Sequence, residues 1–236
     1  MSMTRILVWD IPTRLFHWLL TAGFIACFGF AQLAEEHSFG FAIHMLLGIV
    51  LGALVAWRIM WGIIGSRYAR FGSFLYSPAS LIGYIQGAFT TQSKAYVGHN
   101  PGSSYAIFAM LFLLGTTVAT GLLMSGGNEA SEELHAASSY ALAAVVGVHI
   151  VGVIWYSVRH HENITGSIMV TGTKVGEPDD AIASSRPLAA LILAVLVGVL
   201  TIALFRGYDQ ASGEIRLPFL NTVIFRGESG SNGDED

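Results

Sequence analysis

Five long apolar stretches divide the chain, and polar segments separate them. The stretches cover about residues 15–33, 39–61, 104–124, 134–158 and 187–205. A helix needs about 20 predominantly apolar residues to cross the roughly 30 Å hydrocarbon core of a bilayer. The pattern therefore predicts five transmembrane helices, the fifth at the short end of the usual range.

The first apolar stretch has the position of a secretory leader but not its content. It contains His17, Trp18 and four phenylalanines, and it is longer and more aromatic than the apolar core of a leader. We expect it to remain in the chain as the first span. Residues 80–88 predict a short helix at the membrane surface, and the acidic end of the tail, residues 229–236, is expected to be disordered.

The composition is that of a membrane protein. Hydrophobic residues make up 53% of the 236 residues and charged residues only 12%, about half the usual share in soluble proteins. No basic patch suits nucleic acid, and the single cysteine, Cys27, permits no intramolecular disulfide. The sequence predicts an all-α integral membrane protein, with a four-helix transmembrane bundle and a fifth, C-terminal transmembrane helix.

The positions of lysine and arginine predict the orientation in the membrane. An odd number of spans puts the two ends of the chain on opposite sides. The side of the N-terminus receives Arg5, Arg14, Arg58, Arg67, Arg70, Lys94, Arg159, Lys174 and Arg186, and the other side receives Arg206, Arg216 and Arg226. Basic residues favour the cytoplasmic side, so we expect the N-terminus in the cytoplasm and the tail on the outer side of the membrane.

Four of the eight histidines lie within or at the ends of predicted spans: His17, His44, His135 and His149. His135 and His149 share one predicted helix, where they lie about 21 Å apart along the axis and within about 40° around it. The predicted orientation matches His17 in depth with His149 (the inner pair) and His44 with His135 (the outer pair). Hydrogen bonding at the membrane surface explains any one of them, but it explains the matched depths less well.

Paired imidazoles at one depth suit b-type haem better than zinc. A zinc site needs a third or fourth protein ligand, and no acidic residue lies close to these histidines within the spans. Two imidazoles on opposite faces of a haem fill both axial positions of the iron, which leaves electron transfer as its function. The chain has no Cys-x-x-Cys-His motif, so two haems b would be held without a covalent bond.

Glycines near the histidines could make room for a macrocycle. Gly48 follows His44 by about one helical turn. Other glycines with the same potential role are Gly115, Gly121 and Gly147. Packing of helices through small residues explains any single one of these glycines equally well.

Arg14, Arg58 and Asn100 lie at the depth of the inner pair and are candidates for binding the haem propionates. For the two arginines the alternative is a side chain that reaches the cytoplasmic headgroups, and for Lys94 we favour this alternative. The outer haem has no obvious cation, and its propionates would depend on backbone groups, serines or water. The remaining histidines, His37, His99, His160 and His161, lie in or beside predicted loops and are expected to be solvated.

Several motifs together resemble the bacterial cytochrome b561 / nickel–iron hydrogenase b-type cytochrome family. They are Arg14-Leu-Phe-His17-Trp18, His44 with Gly48, the run from Trp57 to Phe71 with its spaced glycines, Gly98-His99-Asn100-Pro101-Gly102, and the His135/His149 pair. The resemblance covers about residues 3–178. It implies a di-haem domain over 1–178, followed here by an additional transmembrane helix over 187–206 and a polar periplasmic tail over 207–236.

The same resemblance implies a function and a set of ligands. Members of the family carry electrons between the quinone pool and a redox partner, and their four haem-ligand positions match His17, His44, His135 and His149. The resemblance also implies a quinone site near one haem, often the inner one, where Trp18, Arg14 and Asn100 are candidates by depth. A periplasmic c-type cytochrome and a hydrogenase-like subunit are both compatible partners, within a surrounding of membrane lipid.

Two alternative functions remain open at this stage. One keeps the haems and makes the protein a superoxide:quinone oxidoreductase of the b561 type. The other is a proton transporter whose histidines form a relay, although the spans lack acidic residues and obvious inverted repeats. The question of whether the chain is an enzyme in its own right depends on which of these holds.

Overall fold

A computed structural model describes residues 3–35, 38–88, 90, 94–125, 128, 130–210, 214–217 and 222–225. Its helices are α1 (Ile11–Leu33), α2 (Phe39–Ile64), α3 (Pro78–Ala88), α4 (Pro101–Ser125), α5 (Ala130–His160), α6 (Ile164–Gly166) and α7 (Pro187–Gly207). Among the described residues, α1, α2, α4, α5 and α7 are long and apolar enough to cross a membrane. This confirms the five predicted spans, each with ends extended by a few residues. The short helix α3 covers the predicted surface helix.

Local sequence signals begin the first two spans. Asp10 caps α1, because its Oδ1 accepts a hydrogen bond from the backbone N–H of Thr13 at 2.8 Å. Ser38 caps α2 in the same way, with its Oγ 3.2 Å from the backbone nitrogen of Phe41. Side-chain caps of this kind satisfy N–H groups that the first helical turn leaves without a partner.

The spans pack as consecutive neighbours. α1 packs on α2, α2 on α4 and α4 on α5, while α7 packs on α1 and α2. In the described part of the chain, α5 makes no comparable direct contact with α1 or α2. The core of the bundle includes Leu51, Leu54 and Trp57 of α2, Leu142 of α5 and Leu193 of α7. The arrangement leaves α5 joined to the bundle through α4, with its other side directed toward more widely spaced helices.

Two short strands close the end of the bundle that carries the N-terminus, which we call the N-terminal end. Strand β1 (Thr4–Leu7) pairs antiparallel with β2 (Thr173–Gly176), which follows α5 and α6. A π-helical turn (Ser167–Thr171) leads into β2, and Gly172 after it has a φ of 74° that favours glycine. The pairing shows that four spans return the chain to the side from which it started.

The tail lies at the opposite end of the bundle. Strand β3 (Ile215–Leu217) pairs antiparallel with β4 (Thr222–Phe225). Ile215 is fully buried and packs with Leu46 and Val50 of α2 and Leu204 of α7. The described part of the tail is therefore a packed ribbon beside the start of α2. The predicted disorder of 229–236 falls outside the described residues.

Candidate functional site

The imidazole rings of the outer pair, His44 on α2 and His135 on α5, lie close together with their planes nearly perpendicular. The two imidazole centroids are 6.2 Å apart, with an angle of 87° between the ring planes. His44 Nδ1 is 2.9 Å from the backbone oxygen of Cys27, and His135 Nδ1 is 2.9 Å from that of Thr117. A carbonyl can only accept a hydrogen bond, so both rings carry their proton on Nδ1. The free lone pair is then on Nε2, which is the nitrogen available to a metal.

α4 supplies a fitted surface for His135. A Cβ added to Gly121 would lie 3.1 Å from His135 Cε1, so this glycine permits the close approach of the ring. Thr120 Oγ1 lies 3.3 Å from His135 Nδ1, and Ser138 Oγ lies 2.8 Å from Thr117 Oγ1. Gly121 therefore makes room for the imidazole ring of His135, whereas the sequence suggested that it makes room for a macrocycle.

Cys27 supports the other ring of the outer pair. Its Sγ lies 3.3 Å from His44 Nδ1 and donates to the backbone oxygen of His44 at 3.5 Å. The thiol is buried and takes part in no disulfide. Cys27 of α1 thus orients His44 through both its backbone and its side chain. No sequence pattern indicated this role.

The inner pair, His17 on α1 and His149 on α5, lies on two helices that do not pack directly on each other. The two imidazoles are close enough to interact electrostatically. His17 Nδ1 is shielded from solvent and has no hydrogen-bond partner among the described residues. A buried polar nitrogen without a partner is costly, and such groups are a mark of sites that bind a ligand or water.

The glycines predicted to make room behave differently from one another. A Cβ added to Gly48 or Gly115 would meet no atom within 4 Å, so space surrounds both positions. Gly147 also has space around it, but it is exposed and lies about 200° around the helix from His149. Gly48 therefore keeps its predicted role as a candidate, and Gly147 faces away from the inner pair.

Arg14 and Trp18, two candidates at the start of α1, both hold the π-helical turn after α5. Arg14 donates to the backbone oxygen of Val170, and its buried Nε has no partner in the described chain. Trp18 Nε1 donates to the backbone oxygen of Met169 at 2.9 Å, although the side chain is 51% exposed. These contacts place both residues at the N-terminal end of the bundle, beside His17.

Arg58 and Asn100 lie at the same end. Arg58 is buried, donates to the backbone oxygen of Ala69 at 3.0 Å and lies over the Phe71 ring, 4.7 Å from its centroid. Asn100 Oδ1 accepts from the backbone N–H of Ser103 at 2.8 Å and so caps α4. The contact to Ala69 uses one of the five N–H donors of the guanidinium.

His99 was expected to be solvated, but the residue is half-buried. Its ring contacts Trp9 and Phe74, with centroid distances of 4.8 Å and 4.4 Å. Its Nδ1 is shielded from solvent and has no hydrogen-bond partner among the described residues. The available signal was its position in the motif from Gly98 to Gly102, which was used only for the resemblance.

Lys174 is also buried, whereas the sequence placed it in a polar connection. Its Nζ donates to the backbone oxygen of Tyr96 at 2.7 Å and lies 3.3 Å from Glu162 Oε1, with the lysine side chain 2% exposed. Burial lowers the pKa of Lys174, and the attraction to Glu162 opposes that shift. The ion pair connects β2 to the segment that follows α5.

Asp10 is a third residue at this end that the sequence did not single out. It is fully buried, and beyond capping α1 it accepts through Oδ2 a hydrogen bond from Trp61 Nε1 at 3.1 Å. The carboxylate therefore joins the start of α1 to the end of α2.

Apolar membrane-spanning helices with imidazoles facing one another between them are typical of cofactor-binding bundles such as membrane-bound b-type cytochromes. A family model described as prokaryotic cytochrome b561 matches residues 8–172, which are 165 of the 236 residues. The chain belongs to the prokaryotic cytochrome b561 family. Comparisons with curated proteins and with solved structures find no match.

Membership in this family has direct consequences. The protein is a multi-pass inner-membrane cytochrome that binds b-type haem and takes part in electron transport. The suspected family and the all-α membrane fold are both confirmed. The family match ends before α7, so the fifth span and the tail lie outside it.

Proposed function

We propose that the protein is a di-haem cytochrome that carries electrons across the membrane between the quinone pool and a partner on the periplasmic side. In this proposal His17 and His149 hold one haem b, and His44 and His135 hold the other. The partner is a c-type cytochrome or a hydrogenase-like subunit. The four histidines are the ligands expected from the resemblance, and α5 supplies one ligand to each iron.

The separation of the outer rings is the observation that carries the proposal. A metal–imidazole bond of about 2.0–2.1 Å, plus roughly 1.1 Å from ring nitrogen to ring centre, puts two rings that share one ion about 6.3 Å apart. The observed centroid distance is 6.2 Å. The Nδ1 atoms of both rings face backbone carbonyls, which supports coordination through Nε2.

The surroundings of the rings also support haem. Space around Gly48, one turn from His44, would admit the edge of a flat macrocycle. Near the inner pair, Arg58 and Arg14 offer cationic donors for the propionates of a haem. Haem with both axial positions filled supplies one-electron transfer without an open position for oxygen.

The direction of the bundle in the membrane supports a cytoplasmic inner site. The N-terminal end of the bundle carries Arg5, Arg67, Lys174 and other basic residues on both sides of the β1–β2 pair. Enrichment of basic residues on the cytoplasmic side supports a location of the inner pair near the cytoplasm. The outer pair and the β3–β4 ribbon would lie near the periplasm.

A quinone site near the inner haem is part of the proposal. Trp18 and Arg14 line the junction between α1 and the turn after α5, where a membrane-dissolved quinone could reach the site from the lipid. The Oδ1 atom of Asn100 accepts the hydrogen bond that caps α4. Its side-chain amide nitrogen is therefore the atom that would donate to a ligand.

Haem content and spectra of single-ligand variants test the proposal. The wild-type chain should bind two haems b and show a b-type α-band after reduction. His149→Ala should lose the inner haem and keep the outer, and His135→Ala should do the reverse, each with about one haem per chain. A colourless wild-type protein would refute the proposal, and so would loss of the same spectral component in both variants. His161→Ala, at an exposed histidine of the same end of α5, is the control and should keep both haems.

A further inference from the structure

His99 occupies a fixed position at the N-terminal end of the bundle. A Cβ on the preceding Gly98 would lie 2.6 Å from Tyr68 Cδ1, so the backbone there packs directly against an aromatic ring. The backbone oxygen of His99 accepts a hydrogen bond from the Tyr76 hydroxyl at 2.9 Å. The next residue, Asn100, is the cap of α4. The chain is therefore held on both sides of His99, and the ring has a defined location.

The ring lies in aromatic surroundings, and no hydrogen bond of the ring is found among the described residues. Trp9 and Phe74 both contact it, at the distances given above. Trp9 is itself held, because its Nε1 donates to Ser167 Oγ at 3.0 Å. The buried Nδ1 of His99 faces none of the hydrogen-bonding groups in the described chain. A histidine kept in such a position without a protein partner indicates a partner that is not protein.

The charges around His99 indicate the kind of partner. Burial lowers the pKa of His99 to about 3, and repulsion from Arg58, His149, Lys174 and His17 adds to the shift. The ring is therefore neutral at physiological pH and has one N–H to donate. In the described chain, no carboxylate is among the groups that act on it in this way, and Lys174 already pairs with Glu162. Arg58, which also interacts with the buried Asp10 carboxylate, and an N–H without a partner among the described residues suit an oxygen that carries negative charge.

We propose that His99 donates a hydrogen bond to a propionate of the inner haem and forms, together with Arg58, the receptor for that anionic edge. The inference rests on the proposed function, because it requires a haem between His17 and His149. The Phe74 ring connects His99 to Arg58, because it lies 4.4 Å from the His99 ring and 5.9 Å from the Arg58 guanidinium carbon, at the end of the bundle that carries His17. Arg58, over the Phe71 ring, contributes the cation. A quinone oxygen shares the same acceptor chemistry, and the experiment separates the two ligands.

The test is a redox titration of both haems in the full-length chain in lipid nanodiscs, comparing wild type, His99→Leu and His99→Gln. Loss of the donor leaves more charge on the propionate, which stabilises ferric iron. His99→Leu should shift the reduction equilibrium of the inner haem about tenfold toward the oxidised form, or about 59 mV for one electron. The outer haem should not shift. His99→Gln retains an N–H donor and should shift the inner haem less, and His161→Gln should shift neither haem.

The other outcomes are also informative. Loss of the inner haem alone in His99→Leu, with retention in His99→Gln, supports the proposal. Unchanged potentials in His99→Leu overturn it, and if the variant then reduces slowly with quinol, the ligand is the quinone. Equal loss of both haems in both variants overturns it as well, because His99 is then structural. A wild-type chain without two haems removes the proposed function together with this inference, whereas two haems with unchanged potentials remove only this inference.

Discussion

Gly121 controls the position of His135 by having no side chain. A Cβ added at residue 121 would lie 3.1 Å from His135 Cε1, which is tighter than an ordinary contact, so the ring would have to move by a few tenths of an ångström. The ring cannot retreat easily, since its Nδ1 is held by the backbone oxygen of Thr117. The position of a haem-ligand candidate thus depends on a residue of a neighbouring helix that would touch no haem.

Gly121→Val should therefore weaken the outer site selectively. The branched side chain would push the imidazole away from α4 and break the hydrogen bond at Nδ1, which we expect to cost about 1–3 kcal/mol. The outer haem should bind more weakly and its low-spin spectrum should change, while the inner haem stays. Gly198→Val on α7, where a Cβ meets nothing within 4 Å, is the matched control. Equal effects of both substitutions would contradict this account of Gly121.

Residue-level burial is where the sequence was least informative. His99 follows a glycine and precedes a helix cap, a pattern that indicates a solvated loop. It is half-buried, with its Nδ1 shielded, and it contacts Trp9 and Phe74 from distant parts of the chain. Lys174 was counted among loop charges, and its burial depends on Glu162 and Tyr96. Contacts between residues far apart in sequence cannot be read from local pattern.

At the scale of elements, the long helices were predictable and the short strands were not. An apolar stretch of about 20 residues in a membrane has one common solution, a spanning helix, and all five spans were found. The spacing of His135 and His149 likewise predicted one face of α5. The four-residue strands β1 and β2 carry no comparable signal. They exist because four spans bring residues 4–7 beside 173–176.

The ion pair between Glu162 and Lys174 connects two of these elements. It joins the end of α5 to β2, which in turn pairs with β1 ahead of α1. The Lys174 side chain is 2% exposed and the Glu162 side chain 24% exposed. Loss of the ion pair should therefore cost more free energy at the lysine, because a buried charge without a counter-charge is costly.

Glu162→Gln should lower the stability of the N-terminal end by about 1–3 kcal/mol, since it removes the counter-charge and leaves the buried ammonium with neutral acceptors such as the Tyr96 carbonyl. Replacing both partners, Glu162→Gln with Lys174→Met, should recover part of that loss because no charge remains buried. Thermal unfolding of the purified protein measures the difference. A double variant less stable than Glu162→Gln alone would show that the pair matters for something other than burial of the lysine.

At the scale of the whole molecule, α5 is the helix that both proposed haem sites share. It packs on α4, while α1 and α2 supply the opposing histidines from across the bundle. The two pairs are about 21 Å apart along α5, so one rigid element sets the distance between the two proposed centres. A shift or rotation of α5 would disturb both at once.

The fifth span stands apart from this arrangement. α7 packs on α1 and α2. It lies outside the family match, which ends at residue 172. Its end and the β3–β4 ribbon bury Leu46 and Val50, close in sequence to His44. α7 therefore lies behind the helices that carry two of the histidines, and the ribbon lies beside the start of α2.

A chain that ends at residue 186 should therefore keep both haems and lose stability. Without α7, the packing of Leu193 and Leu204 on the bundle is lost, and lipid replaces it only in part. Without the ribbon, the region around Leu46 becomes open to water, so a water-soluble reductant should reduce the outer haem faster than in wild type. Stopped-flow reduction and thermal unfolding measure the two effects.

A second chain, ending at residue 210, keeps α7 and removes the ribbon, and it should show the faster reduction with little loss of stability. If the chain ending at 186 bound no haem, α7 would belong to the haem-binding fold, and the separation of the four-helix domain from the fifth span would be wrong.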